Sequence, residues 1–132
     1  MTAMPIRPRV LIADDHADLV KAVSRLLAVD CDVVGTVGDG SAVLEAAQRL
    51  RPDLIVVDLN LPNLNGLEAC RQITQTHPEM RVIVFTAMND PDVRQRSLEV
   101  GASAFVFKMS GDGDLLSTVK RLWADGGGRT AG

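Results

Sequence analysis

The chain has 132 residues, 46% of them hydrophobic, with 17 acidic residues against 14 Lys and Arg, giving a net charge of −3. That length suits one domain with its own core, and the apolar content excludes a disordered chain. The acidic balance excludes a basic nucleic-acid footprint on this domain; no apolar run approaches the roughly 18 residues that span a bilayer, and the N-terminus lacks a signal-peptide core, so the expectation is a cytoplasmic protein with no membrane contact.

In chain order, Arg9-Val10-Leu11-Ile12-Ala13 is an apolar run that reads as a strand and ends at Asp14-Asp15. Leu19, Val20, Val23, Leu26 and Leu27 recur at helical spacing and predict the first helix. Asp32 to Val37 reads as a strand, and Gly38-Asp39-Gly40 as a turn. Val43, Ala46, Ala47 and Leu50 stripe a second helix that Arg51-Pro52 ends. Leu54-Ile55-Val56-Val57-Asp58-Leu59 is a strand apolar on both faces running into one carboxylate.

After a loop punctuated by Pro62, Gly66 opens a helix with Leu67, Cys70 and Ile73 on one side, stopping before Pro78. Arg81 to Thr86 is a strand, Pro91 suits the first turn of a helix running to about Val100, and Gly101 is its stop. Ala104 to Lys108 is the last strand, and Leu115, Leu116, Val119, Leu122 and Trp123 stripe the last helix. A flexible tail is expected over 126–132. Cys31 and Cys70 fit no metal spacing and read as small buried packing residues. Aromatics at 3%, with no Tyr, argue against a stacked flat cofactor.

Alternating strands and helices joined by short loops imply an α/β protein with a doubly wound, five-stranded parallel sheet covered by helices on both faces. In such a sheet ligands bind beyond the carboxyl ends of the strands. Asp14 and Asp15 after the first strand, Asp58 after the third, Thr86 after the fourth and Lys108 after the fifth therefore gather at one edge. Carboxylates brought together recruit a cation, and Mg²⁺ suits oxygen ligands, including a loop carbonyl after Asp58. A carboxylate can act as nucleophile toward phosphorus, and an ammonium and a hydroxyl then neutralise the phosphoryl oxygens. Asp58 is thus the candidate phosphoacceptor, with Lys108 and Thr86 as phosphoryl ligands. Taken singly each has a plainer role: Asp58 as a turn cap, Asp14-Asp15 as favourable charges at a helix N-terminus, Thr86 as a strand residue, Lys108 in a weak surface ion pair with Asp15. Their agreement at one edge favours the functional reading. His16, beside the two acids, reads as a helix cap or a solvent-facing side chain, because Mg²⁺ prefers oxygen.

These residues resemble the receiver domain of bacterial two-component response regulators. The resemblance covers 7–125 and rests on Asp14-Asp15, on Asp58 to Gly66, on Phe85-Thr86-Ala87 and on Gly101 to Lys108. It implies the flavodoxin-like strand order 2-1-3-4-5, which a chemotaxis member of this family also has. It also implies phosphoryl transfer from a histidine kinase or phosphotransfer protein to Asp58. Mg²⁺ would be held directly by Asp15 and Asp58, by Asp14 largely through water, and by the Asn60 backbone carbonyl. Thr86 and Phe105 would form the switch, Phe105 turning inward as Thr86 moves toward the phosphate. Ala87 would leave room for the phosphate, and Asn60 and Met88 would tune dephosphorylation. Asp14-Asp15-His16 and Thr76-His77-Pro78 resemble the subgroup that often carries a C-terminal helix-turn-helix, so the implied output is either a partner protein or a DNA-binding domain beyond this chain. A homodimer formed on phosphorylation stays open. One departure is Met109, where the family usually has Pro after the lysine; a trans Lys108-Met109 bond is expected, since a non-proline cis bond costs about 2.5–4 kcal/mol.

Two other functions compete. A small phosphatase with an Asp nucleophile of the haloacid dehalogenase type usually has a second Asp two residues on, where this chain has Asn60. An interaction module of the same fold that is never phosphorylated would lack an acid, the Thr or the Lys, and none is lacking. The expectation is a signalling protein whose only chemistry is its own phosphorylation and dephosphorylation.

Overall fold

The computed structural model describes residues 7–110 and 112–125. The tail expected over 126–132 lies outside the described residues. Strands β1 (Arg9–Ala13), β2 (Asp32–Val37), β3 (Leu54–Val57), β4 (Arg81–Thr86) and β5 (Ala104–Phe107) alternate with helices α1 (Ala17–Ala28), α2 (Gly40–Leu50), α3 (Gly66–Thr76), α4 (Pro91–Glu99) and α5 (Asp112–Asp125). The sheet is parallel throughout and ordered β2-β1-β3-β4-β5, as the resemblance implies.

The strands alternate faces, so each apolar run feeds two cores. Leu11, Ala13, Ile55, Val57, Val82 and Val84 pack with Val43, Ala47, Cys70 and Ile73 beneath α2 and α3. Val10, Ile12, Leu54, Val56, Ile83 and Phe85 pack with Val23, Leu27, Leu115 and Val119 beneath α1 and α5. Leu11, Ile55 and Ile83 are wholly buried, and each such side chain contributes about 1.5–3 kcal/mol relative to exposure. Cys31 and Cys70 are buried free thiols, as expected. Among the described residues no helix is long and apolar enough to cross a membrane.

Helix ends follow local chemistry. Asp39 caps α2 by accepting from the Ser41 and Ala42 amides, Asn65 caps α3 through the Glu68 amide, and Asp90 caps α4 ahead of Pro91. The expected turn ending at Gly40 is shorter than the sequence suggests: Gly40 is the first residue of α2, because Asp39 supplies the cap. Gly101 stops α4 as expected, with φ at +113°. Helix α4 differs from the others in that Ser97 is its one buried residue. Its C-terminal end is latched: Thr74 Oγ1 donates to Val100 O at 2.9 Å, and Ala102 N to Ser97 O at 3.0 Å.

Candidate functional site

The third strand is shorter than its apolar run suggests: β3 ends at Val57, and Asp58 begins the loop. The Asp58 amide still donates to Ala13 O at 2.9 Å, extending the β1–β3 ladder by one bond, and the Asp14 amide likewise donates to Val37 O at 2.9 Å. Strand order 2-1-3 therefore sets Asp14 and Asp58 side by side. Both are buried, at 6% and 3% exposure.

Lys108 completes the cluster. It follows β5 as the first residue of a 3-10 turn, Lys108–Ser110, rather than as a strand residue. Its Nζ donates to Asp14 Oδ2 at 2.6 Å and to Asp58 Oδ2 at 3.2 Å, and lies 5.7 Å from the centre of the Phe85 ring. Lys108 thus pairs with the two buried acids rather than in the plainer surface pair with Asp15: β5 is two strands from β3, and the lysine stem reaches inward across β4. Burial pushes the Asp14 carboxyl up, but hydrogen bonds from Lys108 and from the amide and ring of His16 outweigh it and hold the group below its ordinary value.

Asp15 is exposed. His16 occupies the N-cap position of α1 without a side-chain capping bond, and of the two expected roles it takes the solvent-facing one. Its Nδ1 instead lies 2.9 Å from Asp14 Oδ1 and 3.2 Å from Asp15 Oδ1. The hydrogen bond to Asp14, then the charges of Asp14 and Asp15, raise the imidazole above its ordinary pKa. The Asn60 amide donates to Asp58 Oδ1 at 3.3 Å.

Carboxylate oxygens of Asp14, Asp15 and Asp58 and a ring nitrogen of His16 lie within 4.8 Å of one another. Three oxygen donors this close fit a hard divalent cation such as Mg²⁺. Thr86 is wholly buried at the end of β4, and its Oγ accepts from the Met88 amide at 3.2 Å, which holds the hydroxyl to the β4–α4 turn. Phe105 is half-buried against the core beneath α2 and α3. Val84 pairs with Phe105 and Thr86 with Phe107, so Thr86 and Phe105 share one sheet face two positions apart. Among the described residues no peptide bond is cis, consistent with the expected trans Lys108-Met109 bond, and the Met109 side chain is exposed.

The sequence marks Gly66 only as a helix start. A Cβ there would sit 2.1 Å from Asp58 O and 2.7 Å from Leu59 Cα, and the Gly66 amide donates to Leu59 O at 2.9 Å. The loop 58–66 closes on itself only because this residue has no side chain. A glycine inside a helix's first turn, where it costs up to about 1 kcal/mol, is the available signal. A second clamp has none: Asn63 Nδ2 donates to the Asp39 cap, and the Gly40 amide donates to Pro62 O at 3.1 Å.

Residues 10–120 match the family model of the response regulator receiver domain. The chain is 34% identical over 120 residues to the response regulator GacA of Pseudomonas viridiflava, covering 88% of this chain and 55% of that protein. The signal receiver domain of NarL from Mycobacterium tuberculosis superposes with a TM-score of 0.85 at 28% identity, over 89% of this chain and 97% of that one. A BeF3-activated DrrB receiver domain gives a TM-score of 0.82 at 29% identity, over 90% and 99%. The chain belongs to the response regulator receiver domain family of two-component signalling. It spans about half the length of the curated relative it matches, 55%.

Proposed function

We propose that this chain is a phosphoacceptor: it takes a phosphoryl group from the phosphohistidine of a histidine kinase or phosphotransfer protein onto Asp58. The observation that carries this reading is the Lys108 ammonium lying 2.6 Å and 3.2 Å from two buried carboxylates, Asp14 and Asp58. A cation so placed serves an incoming phosphoryl group better than it serves the stability of an exposed surface. An Asp58 oxygen forms the bond to phosphorus as the donor's P–N bond breaks, and the donor imidazole leaves. Bound Mg²⁺, held by Asp15, Asp58 and the Asn60 carbonyl with Asp14 nearby, would neutralise phosphoryl oxygens. Lys108 supplies a fixed positive charge to the phosphoryl group, and the Thr86 hydroxyl turns from Met88 to donate to it. Most of such catalysis is positioning and charge stabilisation. A neighbour of the same fold described as BeF3-activated supports the reading.

Movement of Thr86 frees space on the face it shares with Phe105, and the surface of α4, β5 and α5 changes for the output partner. That surface carries a groove of about 400 Å³ lined by Asp90, Arg94, Phe105, Phe107 and Thr118. In this reading residues 7–125 are the receiver unit of a cytoplasmic protein, without turnover of other substrates. Its output is a partner protein or a C-terminal DNA-binding domain. Incubation with acetyl phosphate and Mg²⁺ is expected to add one phosphoryl group by intact mass, and Asp58→Asn to abolish it. Equal labelling of Asp58→Asn would overturn the nucleophile assignment.

A further inference from the structure

The loop that follows Asp58 is held at its apex by a side chain from the β2–α2 turn. Asp39 divides its carboxylate between two partners. Oδ1 accepts from the Ser41 amide at 2.6 Å and the Ala42 amide at 3.3 Å, which caps α2. Oδ2 accepts from Asn63 Nδ2, 24 residues away. The backbone reinforces the tie: the Gly40 amide donates to Pro62 O at 3.1 Å, and a Cβ on Gly40 would lie 1.6 Å from Leu64 O.

Asn63 needs this support. Its φ is +69°, and the Leu64 amide donates to Pro62 O at 2.8 Å, closing a γ-turn of the rare, strained hand about Asn63. Such strain persists only where the surroundings over-determine it, and it collects at working loops. Asn60 lies earlier in the same loop. The other side of the β2–α2 turn reaches the acids. A Cβ on Gly38 would lie 3.6 Å from Asp15 Cα and 3.8 Å from Asp14 O, and the Asp14 amide donates to Val37 O at 2.9 Å. Residues 37–39 therefore stand between the two segments that carry the acid pocket, against the Asp14-Asp15 turn on one side and bonded to the 58–66 loop on the other.

We infer that Asp39 and Asn63 are positioning residues for the cation pocket: their hydrogen bond sets the spacing between the Asp14-Asp15 turn and the Asn60 backbone, and so sets how tightly Mg²⁺ is held. The inference rests on the proposed function, in which Asp15 and Asn60 share that ion. The two side chains act through the loop and not on the ion or the phosphoryl group. A loop free to drift at its apex still presents Asn60, but it must be ordered as the cation binds, and that ordering lowers the affinity. The clamp orders it beforehand.

Two variants break the tie without removing the supports of the fold. Asn63→Gly deletes the donor, suits the positive φ and changes no charge. Asp39→Ser keeps a good cap for α2 and is too short to hold Asn63. Calorimetric titration of the full chain with Mg²⁺ is expected to show binding weakened at least about threefold in each, short of the 10–100-fold typical of a residue bonded to a metal ligand itself. The double variant is expected to bind no more weakly than the weaker single one, because both remove the same bond. Labelling by acetyl phosphate is expected to need correspondingly more Mg²⁺ for half its maximal rate, with the maximal rate changed less than about twofold. Without metal, hydrogen exchange at the Gly40 and Leu64 amides is expected to quicken in both variants. Unchanged Mg²⁺ affinity in Asn63→Gly overturns the inference, and a lower melting temperature with unchanged affinity would make the clamp a support of the fold alone. Weakening in Asp39→Ser only also overturns it, by assigning the effect to the lost charge. Absence of Mg²⁺ binding in the unaltered protein would overturn the cation part of the proposed function and the inference together, whereas Mg²⁺ binding indifferent to both variants removes the inference and leaves that reading standing.

Discussion

The Lys108 ammonium is closer to Asp14, at 2.6 Å, than to Asp58, at 3.2 Å. Asp14 therefore serves as the resting counter-ion, leaving Asp58 with the longer, weaker contact. Lys108→Met would strand two buried carboxylates side by side, and breaking such a buried pair costs about 3 kcal/mol. Urea melts are expected to show that loss without metal and a smaller one with saturating Mg²⁺, because the bound cation supplies the missing charge. Phosphorylation of Asp58 is expected to slow about a hundredfold, the scale of removing one preorganised charge donor. Equal destabilisation with and without Mg²⁺ would separate Lys108 from the cation pocket.

Gly66→Ala reverses a usual sign. Alanine normally stabilises a helix by about 0.5–1 kcal/mol over glycine. Here the added Cβ would lie 2.1 Å from Asp58 O, a backbone atom with nowhere to go. The expectation is a loss of about 2–3 kcal/mol, the scale of a forced overpacking, together with weaker Mg²⁺ binding as the 58–66 loop shifts. A thermal melt at or above that of the unaltered protein would contradict the close approach.

The Asp39 carboxyl is held below its ordinary value, first by the hydrogen bond from Asn63, with the Ser41 and Ala42 amides adding to it against a smaller desolvation effect. A group whose folded pKa is depressed contributes stability that is present above its unfolded value, about 3.9, and lost as pH falls through the folded one. Between about pH 5 and 2, the unaltered protein is expected to lose stability more steeply than Asp39→Asn. NMR titration of Asn63→Ala is expected to return the Asp39 pKa toward its ordinary value.

Burial pushes the Cys31 thiol up to about 11 and the Cys70 thiol up to about 12. At about pH 8 neither is thiolate to a useful extent, and thiolate is the reactive form. Ellman's reagent is expected to leave the native chain unmodified and to label both cysteines once denaturant is added. Fast native labelling would show that one of the two is reached by local opening.

Continuous apolar runs mark the strands, period-3.6 stripes mark α1, α2, α3 and α5, and Pro91 with Gly101 brackets α4; the 3-10 turn Lys108–Ser110 carries no such signal. Strand neighbours are not legible in those patterns; the order comes with the resemblance, and with it the meeting of Asp14 and Asp58. The sequence gathers Lys108 with the acids at one edge but does not say which of them it meets, because Asp14 and Asp15 are adjacent along the chain yet one is buried and one exposed. The clamp between Asp39 and Asn63 joins residues 24 apart across two loops, and no local spacing encodes it. Ion preference alone says little of His16, whose ring position depends on the turn into α1.

Helix α4 buries Ser97 alone and is latched at its C-terminal end through Thr74 and Val100. Its C-terminal end is thus tied to α3, while its first turn begins a few residues beyond Thr86 and rests on the core through Val93, which is only partly buried. Swinging a helix with so little core costs far less than moving α2 or α5, so a coupling of about 1–3 kcal/mol delivered through the β4–α4 turn is enough to redistribute its positions. Hydrogen exchange is expected to release the amides of α4 before those of α3. A charge change at Asp58 would then reach the far surface as a tilt of one helix, with the sheet left as the rigid bed against which it turns.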